Sequence, residues 1–284
     1  MIVSASDMPW NDRAGRFSKL RAACFLLVLV PAVLLVAKAA LGGLGAKPLT
    51  AAIHETGEWA VRFLILSLAI TPLRRITGRA RLVTVRRLIG LAAYAYLVGH
   101  FALYCADQAW DPARIATEIA SRVYLTIGFV ALIGLTALAV TSTDAWIRRL
   151  GPRWQTLHRI VYACTALALV HFFMQSKLDA GQAAFMAGLF LLLAGYRIAH
   201  RLGAPLTSPA VLALVAVLAA GSTAVVEAAW YGLATRIPWQ AVLSANLTIE
   251  PEPRPAFWVL VAGLAVALMS LRRGVATNRP ARAG

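Results

Sequence analysis

The sequence predicts an all-α, polytopic membrane helical bundle: a six-helix core followed by two extra C-terminal transmembrane helices. Three observations carry that prediction. Apolar stretches long enough to cross a bilayer recur along the whole chain. Of the 284 residues, 60% are hydrophobic and only 14% charged, against about 25% charged in soluble domains. Basic residues collect in every second connection, as short cytoplasmic loops do.

The first stretch, residues 24–41, follows a basic segment and ends near Ala37, Lys38 and Ala39, which also resembles a signal-peptide cleavage site. Either reading leaves the downstream orientation unchanged. The second, 59–71, is short and is expected to begin nearer residue 53. The others are 88–106, 123–141, 160–175, 182–196, 207–226 and 256–271. The run from Pro205 to Pro209 separates the first six from the last two. The chain therefore divides into an N-terminal segment (1–22), a six-helix core (23–204) and a C-terminal pair with its tail (205–284). The longest polar connection, about 227–255, is punctuated by proline in TRIPWQ and EPEPRP. No internal repeat, low-complexity tract or soluble domain is apparent.

Charge sets the orientation. Residues 1–22, 72–87, 142–159, 197–206 and 272–284 hold 20 of the 28 basic residues and 3 of the 12 acids, a net +17. The opposite face, including Lys38 and Arg62 near helix ends, nets −1. Both termini are expected in the cytoplasm. A pI near 11 does not make nucleic acid an expected partner. The basic residues sit in juxtamembrane clusters such as LRRITGRARLVTVRR (73–87), where anionic lipid headgroups account for them. Cys24, Cys105 and Cys164 form no CxxC pair and read as small packing residues.

Five histidines remain: His54, His100, His158, His171 and His200. Measured from the inner ends of their helices at 1.5 Å per residue, His100 lies about 20 Å and His171 about 21 Å outward. Both fall in the outer half of a core about 30 Å thick. Two imidazoles at one level of a helical bundle can supply both axial ligands of a heme iron, and a backbone carbonyl can accept from the other ring nitrogen.

His158 lies 13 residues before His171, about 20 Å below it, and cannot share that iron. It suits a second redox centre near the cytoplasmic face, but Arg87 occupies the matching level and has no lone pair to offer iron. Arg86 and Arg87 can instead hold heme propionates or a flavin phosphate. Simpler readings compete with each of these. An intramembrane histidine is often hydrogen-bonded to a neighbouring helix, and His158, flanked by Arg153 and Arg159, also reads as interfacial. His54 and His200 read as structural, and the arginine pairs as topology determinants. Tyr94, Tyr96, Phe101 and Tyr104 surround His100 in sequence, either lining a porphyrin pocket or packing helices.

Three stretches carry a family likeness: ITPLRR (70–75), RRLIGLAAYAYLVGHFALY (86–104) and TSTDAWIRRLGPRWQTLHRIVYACTALALVHF (141–172). Over about residues 10–202 the chain resembles the ferric reductase-like transmembrane group, which includes the membrane domain of NADPH oxidases. Within that group it resembles the MsrQ (YedZ) family, heme-binding membrane subunits of periplasmic methionine sulfoxide reductase systems. The specific combination is RRxxGL, an outward histidine followed by an aromatic residue, and WxxLHRxVY with a second histidine 13 residues later.

The resemblance implies b-type heme, one or two, at the matching positions His100, His158 and His171, together with a bound FMN. It implies electrons passing from the quinone pool or a cytoplasmic flavin reductase, across the bacterial inner membrane, to a periplasmic molybdopterin catalytic subunit like MsrP. The chain would be an electron-transfer subunit rather than the catalytic one. It departs from the pattern in its last 80 or so residues and at Arg87, where oxidase relatives carry a fourth histidine, which leaves the number of hemes open. A stand-alone ferric or oxygen reductase is the alternative, and the lack of a GxGxxG after a strand argues for a borrowed electron donor. A transporter or assembly protein with proton-relaying histidines is a third, but no paired broken helices accompany it.

Overall fold

The computed structural model describes residues 8–12, 14–176, 179–250 and 252–277, with side chains as far as Leu271. The outer parts of the expected N-terminal segment and C-terminal tail, 1–7 and 278–284, lie outside the described residues. Among the described residues there are twelve α-helices and no strand: α1 Lys19–Ala40, α2 Pro48–Thr77, α3 Val83–Asp107, α4 Pro112–Ser121, α5 Val123–Val140, α6 Asp144–Leu150, α7 Pro152–His158, α8 Val161–Ser176, α9 Gly181–Arg201, α10 Pro209–Ala234, α11 Trp239–Ala245 and α12 Pro255–Thr277.

Every apolar stretch read from the sequence falls on a helix. α1, α3, α5, the joined α7 and α8, α9 and α10 are long and apolar enough to cross a bilayer, and the protein is a multi-pass helical membrane protein. α2 is more polar: Glu58, in its N-terminal half, pairs with Arg62 one turn later at 2.7 Å. The spans show large apolar side chains on their surfaces, such as Leu26, Leu27, Val33 and Val36 of α1. Lipid solvates them, so burial alone does not define the core here.

The chain forms two compact units, one of residues up to 67 with 83–171, the other of 68–82 with 172–284. In the first, Pro31 interrupts the hydrogen-bond ladder of α1. Tyr96 of α3 enters the gap: its hydroxyl donates to the Val28 carbonyl at 2.9 Å and accepts from the Ala32 N–H at 2.8 Å. This satisfies two backbone groups that lipid could not. Past α3, Ala109 and Trp110 take left-handed backbone angles (φ 56° and 58°) and turn the chain into α4, which Asp111 caps by accepting from Ala113 and Arg114 N–H groups. The Thr126 hydroxyl then donates to the Ile119 carbonyl at 2.6 Å and binds α4 to the start of α5.

After α5, Thr143 caps α6, and Gly151, at φ 51°, makes the corner into α7. A short break at Arg159 and Ile160 separates α7 from α8.

The second unit is built on small residues. Gly188 of α9 lies against Thr223 of α10 and Val259 of α12, and Gly263 of α12 lies against Ala216, so the backbones approach closely. The sixth predicted span, α9, thus packs with the two C-terminal ones. Glu227 of α10 is fully buried; it accepts from Asn246 at 2.9 Å and pairs with Arg254 at 2.5 Å, which holds the long 235–254 connection against α10.

Candidate functional site

His100 comes from the C-terminal third of α3 and His171 from the C-terminal half of α8. Their ring centroids are 6.3 Å apart and their planes cross at 81°. The Nδ1 of His100 lies 2.8 Å from the carbonyl of Ile53 on α2, and the Nδ1 of His171 lies 2.8 Å from the carbonyl of Tyr124 in the first turn of α5. A carbonyl only accepts, so each Nδ1 carries the proton and donates it. In its neutral form each imidazole is then the tautomer whose Nε2 keeps a lone pair.

This arrangement fits an iron with two imidazole ligands. A metal–imidazole nitrogen bond of about 2.0 Å, with roughly 1.1 Å from that nitrogen to the ring centre, puts the centroids of a linear pair about 6.2 Å apart. The planes are free to cross, because rotation about the metal–nitrogen axis does not alter the bond. Phe101, next to His100 in sequence, lies tilted against Phe129 at 5.9 Å and Tyr104 at 6.2 Å. Tyr104, one turn beyond His100, keeps a buried hydroxyl with no hydrogen-bond partner among the described residues, a polar atom that a bound group could meet. No cluster of three or more His, Cys, Asp or Glu side chains among the described residues offers another metal site. Tyr94 and Tyr96 are engaged elsewhere, with Thr136 and with α1.

The other sequence-derived candidates lie near the start of α3 and on α7. His158, the last residue of α7, stacks on Trp154 with centroids 3.9 Å apart. Its Nε2 is 3.1 Å from the Thr141 hydroxyl, while Trp154 Nε1 donates to the Thr141 carbonyl at 2.8 Å. Arg87 pairs with Asp144 at 2.8 Å, and the charge of Arg86 acts on His158. The structure therefore brings His100 and His171 together and gathers His158, Arg86 and Arg87 around the α5–α6–α7 corner. His54 and His200 are exposed. Reading the sequence missed Ile53, Tyr124, Thr141 and Asp144. The first two act through backbone oxygens, which carry no side-chain signature, while Asp144 was legible only as the acid in an otherwise basic loop.

The profile of the family described as ferric reductase like transmembrane component matches residues 56–169. A protein-methionine-sulfoxide reductase heme-binding subunit MsrQ from Xanthomonas euvesicatoria pv. vesicatoria is 42% identical over 166 residues, which cover 58% of this chain and 76% of that protein. One of the same description from Ralstonia nicotianae is 40% identical over 182 residues, 63% of this chain and 84% of that protein. No solved structure matches.

Proposed function

The chain belongs to the MsrQ family within the ferric reductase-like transmembrane group, and on that premise we propose that it is a membrane b-type cytochrome carrying electrons outward across the bacterial inner membrane. The single observation that supports this most is the His100–His171 pair: two neutral imidazoles from different helices, at a spacing that suits one iron, each with its second nitrogen already bonded.

In this reading the Nε2 atoms of His100 and His171 hold heme b, and the Ile53 and Tyr124 carbonyls fix the tautomers and make the imidazoles better electron donors. Bound heme supplies one-electron carriage. The chain's own residues orient the ligands and exclude water, which sets the polarity around the site. The inner group does a different job. Arg86, Arg87 and His158 form a polar site for FMN near the cytoplasmic face, the guanidinium groups meeting its phosphate. A second heme is less well served there, because Arg87 offers iron nothing.

Residues 23–204 then make up the heme-binding core and 205–284 the added helices. The electron donor is the quinone pool or a cytoplasmic flavin reductase. The acceptor is a periplasmic, MsrP-like molybdopterin subunit that reduces methionine sulfoxide in oxidised proteins. The basic inner connections keep both termini cytoplasmic and in contact with anionic lipid. A reduced-minus-oxidised visible spectrum of the purified chain, expressed with ample heme supply, tests the reading. A b-type band is expected, and a flat spectrum would overturn it.

A further inference from the structure

The two histidines are held by the same device built twice. The Ile53 carbonyl precedes His100 by 47 positions, and the Tyr124 carbonyl precedes His171 by the same number. One helical turn after each carbonyl stands a glycine, Gly57 on α2 and Gly128 on α5. A methyl group on Gly57 would stand 2.9 Å from Nδ1 and 3.0 Å from Cε1 of His100. One on Gly128 would stand 2.8 Å from Nδ1 and 3.0 Å from Cε1 of His171. Carbonyl, glycine and histidine thus recur together at a 71-residue offset, and the same offset carries Arg87 onto His158. Self-similarity in the sequence is too thin to reveal this, since the glycine and the histidine are the shared identities among these positions and the carbonyl can belong to any residue.

From this geometry we propose that Gly57 and Gly128 are matched positioning residues: by leaving out a side chain on α2 and α5, they let each imidazole lie against the neighbouring helix, donate Nδ1–H to the carbonyl one turn earlier, and aim Nε2 at the other. The proposal rests on the cytochrome reading for its consequence, though not for its geometry. The separations of 2.8–3.0 Å are well inside ordinary carbon contact, which begins at about 3.5 Å. An added methyl must push the ring away or part the helices. Both lengthen the Nδ1–carbonyl bond, and a weaker bond makes the imidazole a poorer electron donor. The ferric state then loses relative to the ferrous, so the midpoint potential of the bound heme rises.

The geometry also separates these glycines from their neighbours. Gly99, adjacent to His100 in sequence, and Gly90, on the same helix, have nothing within 4 Å of where a Cβ would sit. They serve as controls in the helix that carries the ligand.

The test uses the full chain in membranes. Gly57→Ala and Gly128→Ala should each shift the midpoint potential upward and change the low-spin EPR signal, while Gly99→Ala changes neither. A second arm needs no heme. Gly57→Ala should lower accumulation of the chain several-fold when His100 is present and have little effect in a His100→Ala background, where no ring meets the methyl. The same should hold for Gly128→Ala with and without His171. If the alanine variants match Gly99→Ala in both arms, or if the loss persists once the ring is gone, the glycines serve something other than the imidazoles and the proposal is overturned. A wild-type chain without a heme band would defeat the cytochrome reading alone, because the second arm still reads the contact between glycine and ring.

Discussion

Arg87 reaches Asp144 across 2.8 Å near the start of α3, the position at which a second iron would need a histidine partner for His158. His158 itself is stacked on Trp154 and bonded to Thr141. One heme per chain is therefore expected from a pyridine hemochrome assay of purified protein. The ion pair is about half exposed on both sides and contributes at most about 1 kcal/mol, so Arg87→Ala should leave both the fold and the heme count unchanged. A measured ratio of two hemes would show that the inner group binds iron in a way that the Arg87 geometry does not allow.

If His100 and His171 together hold the heme, removing either imidazole leaves one ligand where two are needed. His100→Ala or His171→Ala should abolish the b-type band, whereas His158→Ala should retain it, because that ring is attached to the α5–α7 corner and not to the outer pair. Visible spectra of the three variants in membranes decide this. Equal loss in all three would show that the separation into outer and inner groups is wrong.

The crossing angle of the ligand planes makes a spectroscopic prediction. With planes at 81°, two imidazoles holding one iron would donate into different π orbitals of it, which would leave those orbitals close in energy. The oxidised protein should give a strongly anisotropic low-spin EPR signal rather than the rhombic signal of parallel rings. The ligand geometry is one of the protein's means of tuning a heme. A rhombic signal would mean that the rings turn toward parallel when the group binds.

The spans were legible because lipid imposes a simple rule on composition: α1, α3, α5 and α10 announce themselves by long apolar stretches free of Asp, Glu, Lys and Arg. The pairing of His100 with His171 was legible because rise per residue converts sequence position into depth. Depth says nothing about azimuth, so the carbonyls of Ile53 and Tyr124 and the notches at Gly57 and Gly128 came only with the structure. Tyr96 illustrates the same limit. Its position beside His100 suggested a pocket wall, and the structure commits its hydroxyl to the break at Pro31. Glu227 was counted among the outer-face acids, and nothing around it in sequence marks it as buried, since its partners Asn246 and Arg254 are 19 and 27 residues away.

That buried carboxylate predicts an asymmetry. Glu227 has no solvent exposure, whereas the Arg254 side chain is 35% exposed. Truncating one member of a buried pair costs about 3–5 kcal/mol because the other charge is left unpaired, and the cost depends on whether that survivor can reach water. In Glu227→Ala the guanidinium can turn outward from its partly exposed position, so the loss should fall at or below the lower end of that range. In Arg254→Ala the carboxylate cannot leave α10 and keeps, among the described residues, the Asn246 amide, so the loss should be larger. Glu227→Gln should be milder than either, since a neutral amide can still accept from Asn246. Thermal unfolding of the full chain in detergent ranks the three. Should Glu227→Ala prove more damaging than Arg254→Ala, the carboxylate is contributing more than a partner for Arg254, and its role in holding the 235–254 connection would have to be sought in the packing of α10 against α9 and α12.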